Sequence, residues 1–201
     1  MLRCGHGLGK EVNDIIKTNG GYSDVAVQSD LVYAAKLDRP VQVDVYDSST
    51  WRRLRQIQTP CSLTEHIRTS YHTLHVSDEH ILLCCVDKNK LQVLSHSGEL
   101  LQTHGRSREE ATDDDIIGHT TSGKPVYGPG VLSHPRLCQV DAEGSVLVAD
   151  NFNRRLQVMR ADGIWNVIDL DRVADRPKAA VLCNASLYVA NYGKMIRFSV
   201  P

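Results

Sequence analysis

Apolar positions along this chain fall in short runs of at most about six residues, broken by polar turn residues. Runs of that length, rich in Val and Leu and bounded by Ser, Asp, Asn and Gly, predict strands and not helices. The pattern also repeats. Tyr33–Val43, Leu83–Val93 and Val148–Val158 align without gaps, and each ends in an apolar-Gln-Val triplet. A fourth copy, Val189–Phe198, is one residue shorter. Each copy follows a short apolar segment and a polar turn, as in Leu137-Cys138-Gln139-Val140 before Asp141-Ala142-Glu143-Gly144. The hairpin dipeptides Ser97-Gly98 and Asp162-Gly163 follow the second and third copies.

Each repeat therefore reads as four short antiparallel strands joined by tight turns. Repetition about every 40–50 residues is the signature of β-propeller blades, which bury their faces only against neighbouring blades. The expected fold class is all-β, a propeller of about four blades near 22–60, 71–105, 136–170 and 178–201. Strands are predicted around Val25, Val32, Val43, Val76, Leu82, Val93, Val140, Val148, Val158, Val181 and Val189. The innermost strand of each blade is expected to be the one covered on both faces, and the outermost, such as Trp51–Gln56, the most polar. Residues 106–134 interrupt the repeat and read as an inserted loop, with five acids in Glu109–Asp115. The fourth repeat stops at its third strand. Residues 1–21, with the strand-like Glu11–Lys17, could supply the missing one, but four blades at the usual angle predict an open arc that self-associates or needs further blades.

The third repeat resembles the NHL repeat. His134-Pro135-Arg136, Asp141-x-x-Gly144, Val148-Ala149-Asp150, Asn153 and Arg155-Leu156-Gln157-Val158 stand at that family's spacing over about 25 residues. The other blades depart from it. Cys85 and Lys90 replace the Asp and Arg in the second, Ala35 and Pro40 in the first, and the fourth has Asn191 and a deletion. The resemblance implies a divergent propeller like those ending tripartite-motif (TRIM) ubiquitin ligases, recruiting substrate proteins. The cysteine-rich RING pattern of the ligase itself does not occur in this sequence. Asp141, Gly144, Asp150, Asn153 and Arg155 are read as structural. Asp150 would accept turn N–H groups and Arg155 would pair with it, an interaction worth about 1 kcal/mol, or about 3 if a partner is stranded.

Composition narrows the function. Lys+Arg 23 against Asp+Glu 24 leave a net charge of −1, so no whole-chain grip on nucleic acid or anionic membrane is expected. Some NHL propellers bind single-stranded RNA through a basic face, for which Arg154, Arg172, Arg176 and Lys178 are the candidates here. Aromatics are only 5%, which makes stacking platforms scarce and RNA the weaker reading. Six cysteines without a CxxC pair read as reduced thiols, those at 84, 85, 138 and 183 buried, in a cytoplasmic protein. Gly9-Lys10 lacks the Gly and Ser/Thr of a phosphate loop. His72 and His75 should face opposite sides of a strand, and the Asp113–Asp115 run lacks calcium-loop spacing. No metal, cofactor or catalytic residue is therefore expected. The rival classes are an RNA-binding NHL domain and a metal-dependent propeller lyase or hydrolase, which would need converging His, Asp and Glu at inner-strand ends.

Overall fold

The computed structural model describes residues 21–38, 40–61, 72–170 and 176–199. The candidate Arg172 and the strand-like Glu11–Lys17 lie outside the described residues. Blade one is the antiparallel sheet β1 (Tyr22–Gln28), β2 (Leu31–Lys36), β3 (Gln42–Asp47) and β4 (Arg53–Gln58). Blade two is β5 (Thr73–Val76), β6 (Ile81–Cys85), β7 (Lys90–Leu94) and β8 (Leu100–His104). A hairpin, β9 (Ile116–His119) with β10 (Pro125–Tyr127), then interrupts the series. Blade three is β11 (Pro135–Val140), β12 (Val146–Asp150), β13 (Arg155–Met159) and β14 (Trp165–Ile168). The last sheet has three described strands, β15 (Ala179–Cys183), β16 (Ser186–Asn191) and β17 (Lys194–Ser199). The fold is a β-propeller arc, and every predicted strand centre lies within a strand.

Three apolar cores fill the three blade junctions, as stacking of one-sided units requires. Tyr33, Val43, Leu74 and Leu83 lie between blades one and two. Leu91, Leu132, Val148 and Met159 lie between two and three, and Leu147, Leu156, Leu187 and Val189 between three and four. The most buried strands are the middle ones, β2, β3, β6, β12 and β13. The expectation that the innermost strand is covered on both faces is therefore wrong. Val25 and Val27 of β1 are 59% and 63% exposed. Val25 and Val27 lie on the face of blade one turned away from blade two, opposite Ala26, which packs into the junction, and an inner strand has a sheet neighbour on one edge where a middle strand has two.

Inner strands are laced by one recurring device. A polar side chain on each accepts a backbone N–H of the next. Asp24 accepts Leu74 N at 2.9 Å, Thr73 accepts Leu137 N at 2.8 Å, and Gln139 accepts Leu182 N at 2.8 Å. These bonds satisfy strand-edge donors that would otherwise be stranded at the junctions. No helix among the described residues is long and apolar enough to cross a membrane.

The cysteines depart from the expected pattern. Cys85 is joined to Cys61 in a disulfide, Cys138 is half-buried and Cys183 is exposed. Among the described residues only Cys84 is a buried free thiol, donating to the Pro135 carbonyl. Burial pushes the Cys84 thiol up to about 12 and that of Cys138 up to about 11. The thiolate is the reactive form. Iodoacetamide at about pH 8 is therefore expected to label Cys183 and spare Cys84 and Cys138 in the native chain. Peptide mass mapping checks this, and equal labelling of all three would show that the junctions open freely.

Candidate binding cleft on blade three

Blade three carries a buried polar hub. The Asp150 carboxylate accepts four donors: Ser133 N at 2.7 Å, Asn153 Nδ2 at 2.8 Å, Arg155 Nε at 2.9 Å and Gln157 Nε2 at 2.8 Å. Asp150 is fully buried and Arg155 is 6% exposed. Burial pushes the Asp150 carboxyl above its ordinary range, against the opposing pull of Arg155 and the surrounding donors. Arg155 donates further, to the carbonyls of Gly128 and Val131 at 2.9 Å each and to that of Tyr127. The hub thus ties the end of the insertion, 127–133, onto the blade. Asp141 and Gly144 shape the first turn, where Asp141 Oδ1 accepts Glu143 N and Ser145 N, and Gly144 takes a φ of +83°.

The insertion is not a bare loop. Its acids clamp it. Asp115 closes a capping box with Thr112, whose backbone N–H chiefly holds the carboxyl low, and it also pairs with Arg106. Glu110 accepts Ser107 N and pairs with Lys90 at 2.6 Å. The chain then makes the β9–β10 hairpin and returns as Tyr127–Ser133 to the hub.

Between this hairpin and the turn Asn151–Asn153 lies a cleft of about 980 Å³. Arg108, Lys124, Arg154, Arg155 and Arg176 line it together with His119, Tyr127 and Phe152, and no described lining residue is Asp or Glu. Arg154 holds a left-handed backbone, φ +58°, just past the three-residue 3-10 turn. Two of the cations rest on aromatics. The Arg176 guanidinium lies 5.2 Å from the Phe152 ring centre and that of Arg108 5.7 Å from Tyr127. Arg108 also donates to Asn153 Oδ1 and to the Phe152 carbonyl. His134 stacks on Phe152 at 3.9 Å, and burial lowers its pKa. Asn151 Nδ2 donates to the carbonyls of Pro177 at 2.9 Å and Arg176 at 3.3 Å, which fixes Arg176 beside the cleft.

Of the sequence candidates, Arg154 and Arg176 meet in this cleft, while Lys178 sits 3.3 Å over the Tyr192 ring and is not among its lining residues. Arg108, Lys124, Tyr127 and Phe152 were not singled out from the sequence. They come from an insertion with no counterpart in the other repeats and from an NHL-like turn read as purely structural. A second cleft of about 570 Å³, between blades two and three, has the opposite character, with Asp78, Glu79, Asp141 and Glu143 beside His75 and His104. Burial lowers the pKa of both these histidines. Among the described residues, one group of His, Cys or acid side chains is close enough to hold a metal: Cys61, His72 and Cys85, at the blade one–two junction and not in either cleft.

No known protein family and no curated sequence matches the chain. Solved structures do. A protein of unknown function from Bacteroides caccae aligns at a TM-score of 0.64 and 11% identity, covering 92% of this chain and 66% of that one. A streptogramin B lyase aligns at 0.56 and 16%, covering 90% and 55%. The WD40 β-propeller domain of Doa1 aligns at 0.57 and 15%, covering 90% and 51%. The chain therefore spans about half of the lyase and of the Doa1 domain. At such identities the likeness is one of fold, and the fold is that of a β-propeller.

Proposed function

We propose that this chain is a non-catalytic recognition module whose blade-three cleft takes an acidic segment of a partner protein. The observation that carries the reading is the cleft lining, where Arg108, Lys124, Arg154 and Arg176 stand beside the ion-paired Arg155 with no Asp or Glu among the described lining residues, in a chain of net charge −1. Arginines held against aromatic rings and backbone carbonyls are preorganised, so less side-chain entropy is lost when a carboxylate or phosphate arrives. The NHL-like pattern of blade three supports a role like that of TRIM-NHL-type propellers, presenting a bound protein to a ubiquitin ligase carried elsewhere.

Single-stranded RNA is the competing ligand. The cleft aromatics are already engaged, Phe152 by His134 and Arg176, and Tyr127 by Arg108. Rings so occupied are poor platforms for base stacking, the interaction that binding of single strands relies on. The test is a fluorescence anisotropy titration with a Glu/Asp-rich peptide, its Gln/Asn counterpart and a single-stranded oligoribonucleotide at about 0.15 M salt. The acidic peptide is expected to bind more tightly than both others. Tighter binding of the oligonucleotide would transfer the function to RNA.

A further inference from the structure

We propose that Cys61, His72 and Cys85, in reduced form, make a binding site for Zn²⁺ at the junction of blades one and two. The three arrive from separate elements. Cys61 follows β4, His72 directly precedes β5, and Cys85 ends β6. Their ligand atoms lie within 4.8 Å of one another, and all three residues are fully buried. A tetrahedral Zn²⁺ with bonds of about 2.0–2.3 Å sets its donors roughly 3.5–3.8 Å apart. Cys61 Sγ and His72 Nδ1 are 3.9 Å apart. The Cα atoms of the two cysteines are 6.3 Å apart, a separation that serves either a disulfide or two thiolates on one ion.

The imidazole is the telling member. Its Nδ1 lies 3.3 Å from the Cys84 carbonyl, a long contact, and its Nε2 is buried with no hydrogen-bond partner. A ring kept dry and under-bonded beside two sulfurs has the surroundings of a ligand. The repeat register points the same way. Cys85 pairs with Lys90 across β6–β7 as Asp150 pairs with Arg155 across β12–β13. Lys90 is turned to Glu110, and thiol chemistry stands where blade three has its carboxylate hub.

Two equivalents of a small thiol reduce the disulfide to two thiols and become a disulfide themselves. Zn²⁺ then displaces one proton from each thiol, while His72 contributes a lone pair. Two thiolates and one dication sum to zero charge, which suits a dry junction.

The test uses the full chain, reduced with a phosphine and kept anaerobic, with Zn²⁺ titrated against a chromophoric chelator and Co²⁺ as a spectroscopic stand-in. One equivalent of Zn²⁺, a thiolate-to-Co²⁺ charge-transfer band and a raised melting temperature are expected, with no uptake by the oxidised chain. Cys85→Ser and His72→Gln should each weaken uptake roughly 100-fold or more. Should either variant fail to fold, the comparison of oxidised with reduced wild-type chain decides alone. Folded, reduced wild-type chain that takes up no Zn²⁺, or shows no thiolate band with Co²⁺, overturns the proposal, as does uptake that survives Cys85→Ser.

Discussion

Asp150→Ala should destabilise the chain by about 3–5 kcal/mol, well above the 1–3 kcal/mol suited to an ordinary turn bond. The reason is what remains behind. The Arg155 guanidinium cannot give up its charge, and without Asp150 it would stay buried beside three further donors, Ser133 N, Asn153 Nδ2 and Gln157 Nε2. Arg155→Ala should cost less. The carboxylate keeps three donors, while the carbonyls of Gly128 and Val131 lose one of theirs. Asp150→Asn should fall between, retaining shape and losing charge. Urea unfolding of the three variants measures the order. In thermal melts each kcal/mol corresponds to about 2–4 °C for a chain of this size. Near-parental stability of Asp150→Ala would mean that the hub is dispensable. Because Arg155 also holds the Tyr127 and Gly128 carbonyls, Arg155→Ala should loosen the cleft wall even where the blade survives.

Reversing two cleft charges, Lys124→Glu with Arg176→Glu, is expected to weaken acidic-peptide binding about 100-fold or more while leaving the fold intact. Each charge-assisted hydrogen bond is worth about 1.5–3 kcal/mol, and a reversed charge adds repulsion. Both side chains are exposed, so the cost to stability should stay near 1 kcal/mol, chiefly the Arg176 contact with Phe152. Isothermal titration calorimetry of parent and variant, repeated at two salt concentrations, provides the measurement. A loss of less than about threefold, with unchanged salt dependence, would place the binding surface elsewhere.

The fold was legible because a propeller writes its period into the chain. Apolar-Gln-Val recurred at the same place in three blades, and Asp162-Gly163 marked a turn by local chemistry alone. The Asp150–Arg155 pairing was legible for the same reason, since the two stand five positions apart across one hairpin. Contacts that span blades left no such mark. The cleft joins Lys124 and Tyr127 to Arg176 across about fifty residues, and its hairpin β9–β10 lay beyond a run of acids that reads as solvated loop. Cys61 and Cys85 carry no motif spacing, because the packing of blade one against blade two, not a metal-binding knuckle, brings them together. Inner-strand burial was misjudged because periodicity reports how apolar a strand is, and not which of its faces a neighbouring blade covers.

The lacing of the inner strands has a consequence for how the molecule fluctuates. Each bond from Asp24, Thr73 and Gln139 couples one blade to the next and to no other, so local stability propagates as a nearest-neighbour series. Among the described residues, the last blade has one covered face and three strands, and Met195 is 76% exposed. Within the described residues it therefore lies at the low end of that series, with one strand fewer than blade one, which also has one covered face. The cleft is insulated from fraying there. Arg176 is pinned by Asn151 of blade three before the chain enters β15, so the last blade can open while every wall of the cleft stays in place. A ligand bound there would slow amide exchange in blade three and the insertion and leave the last blade as it was.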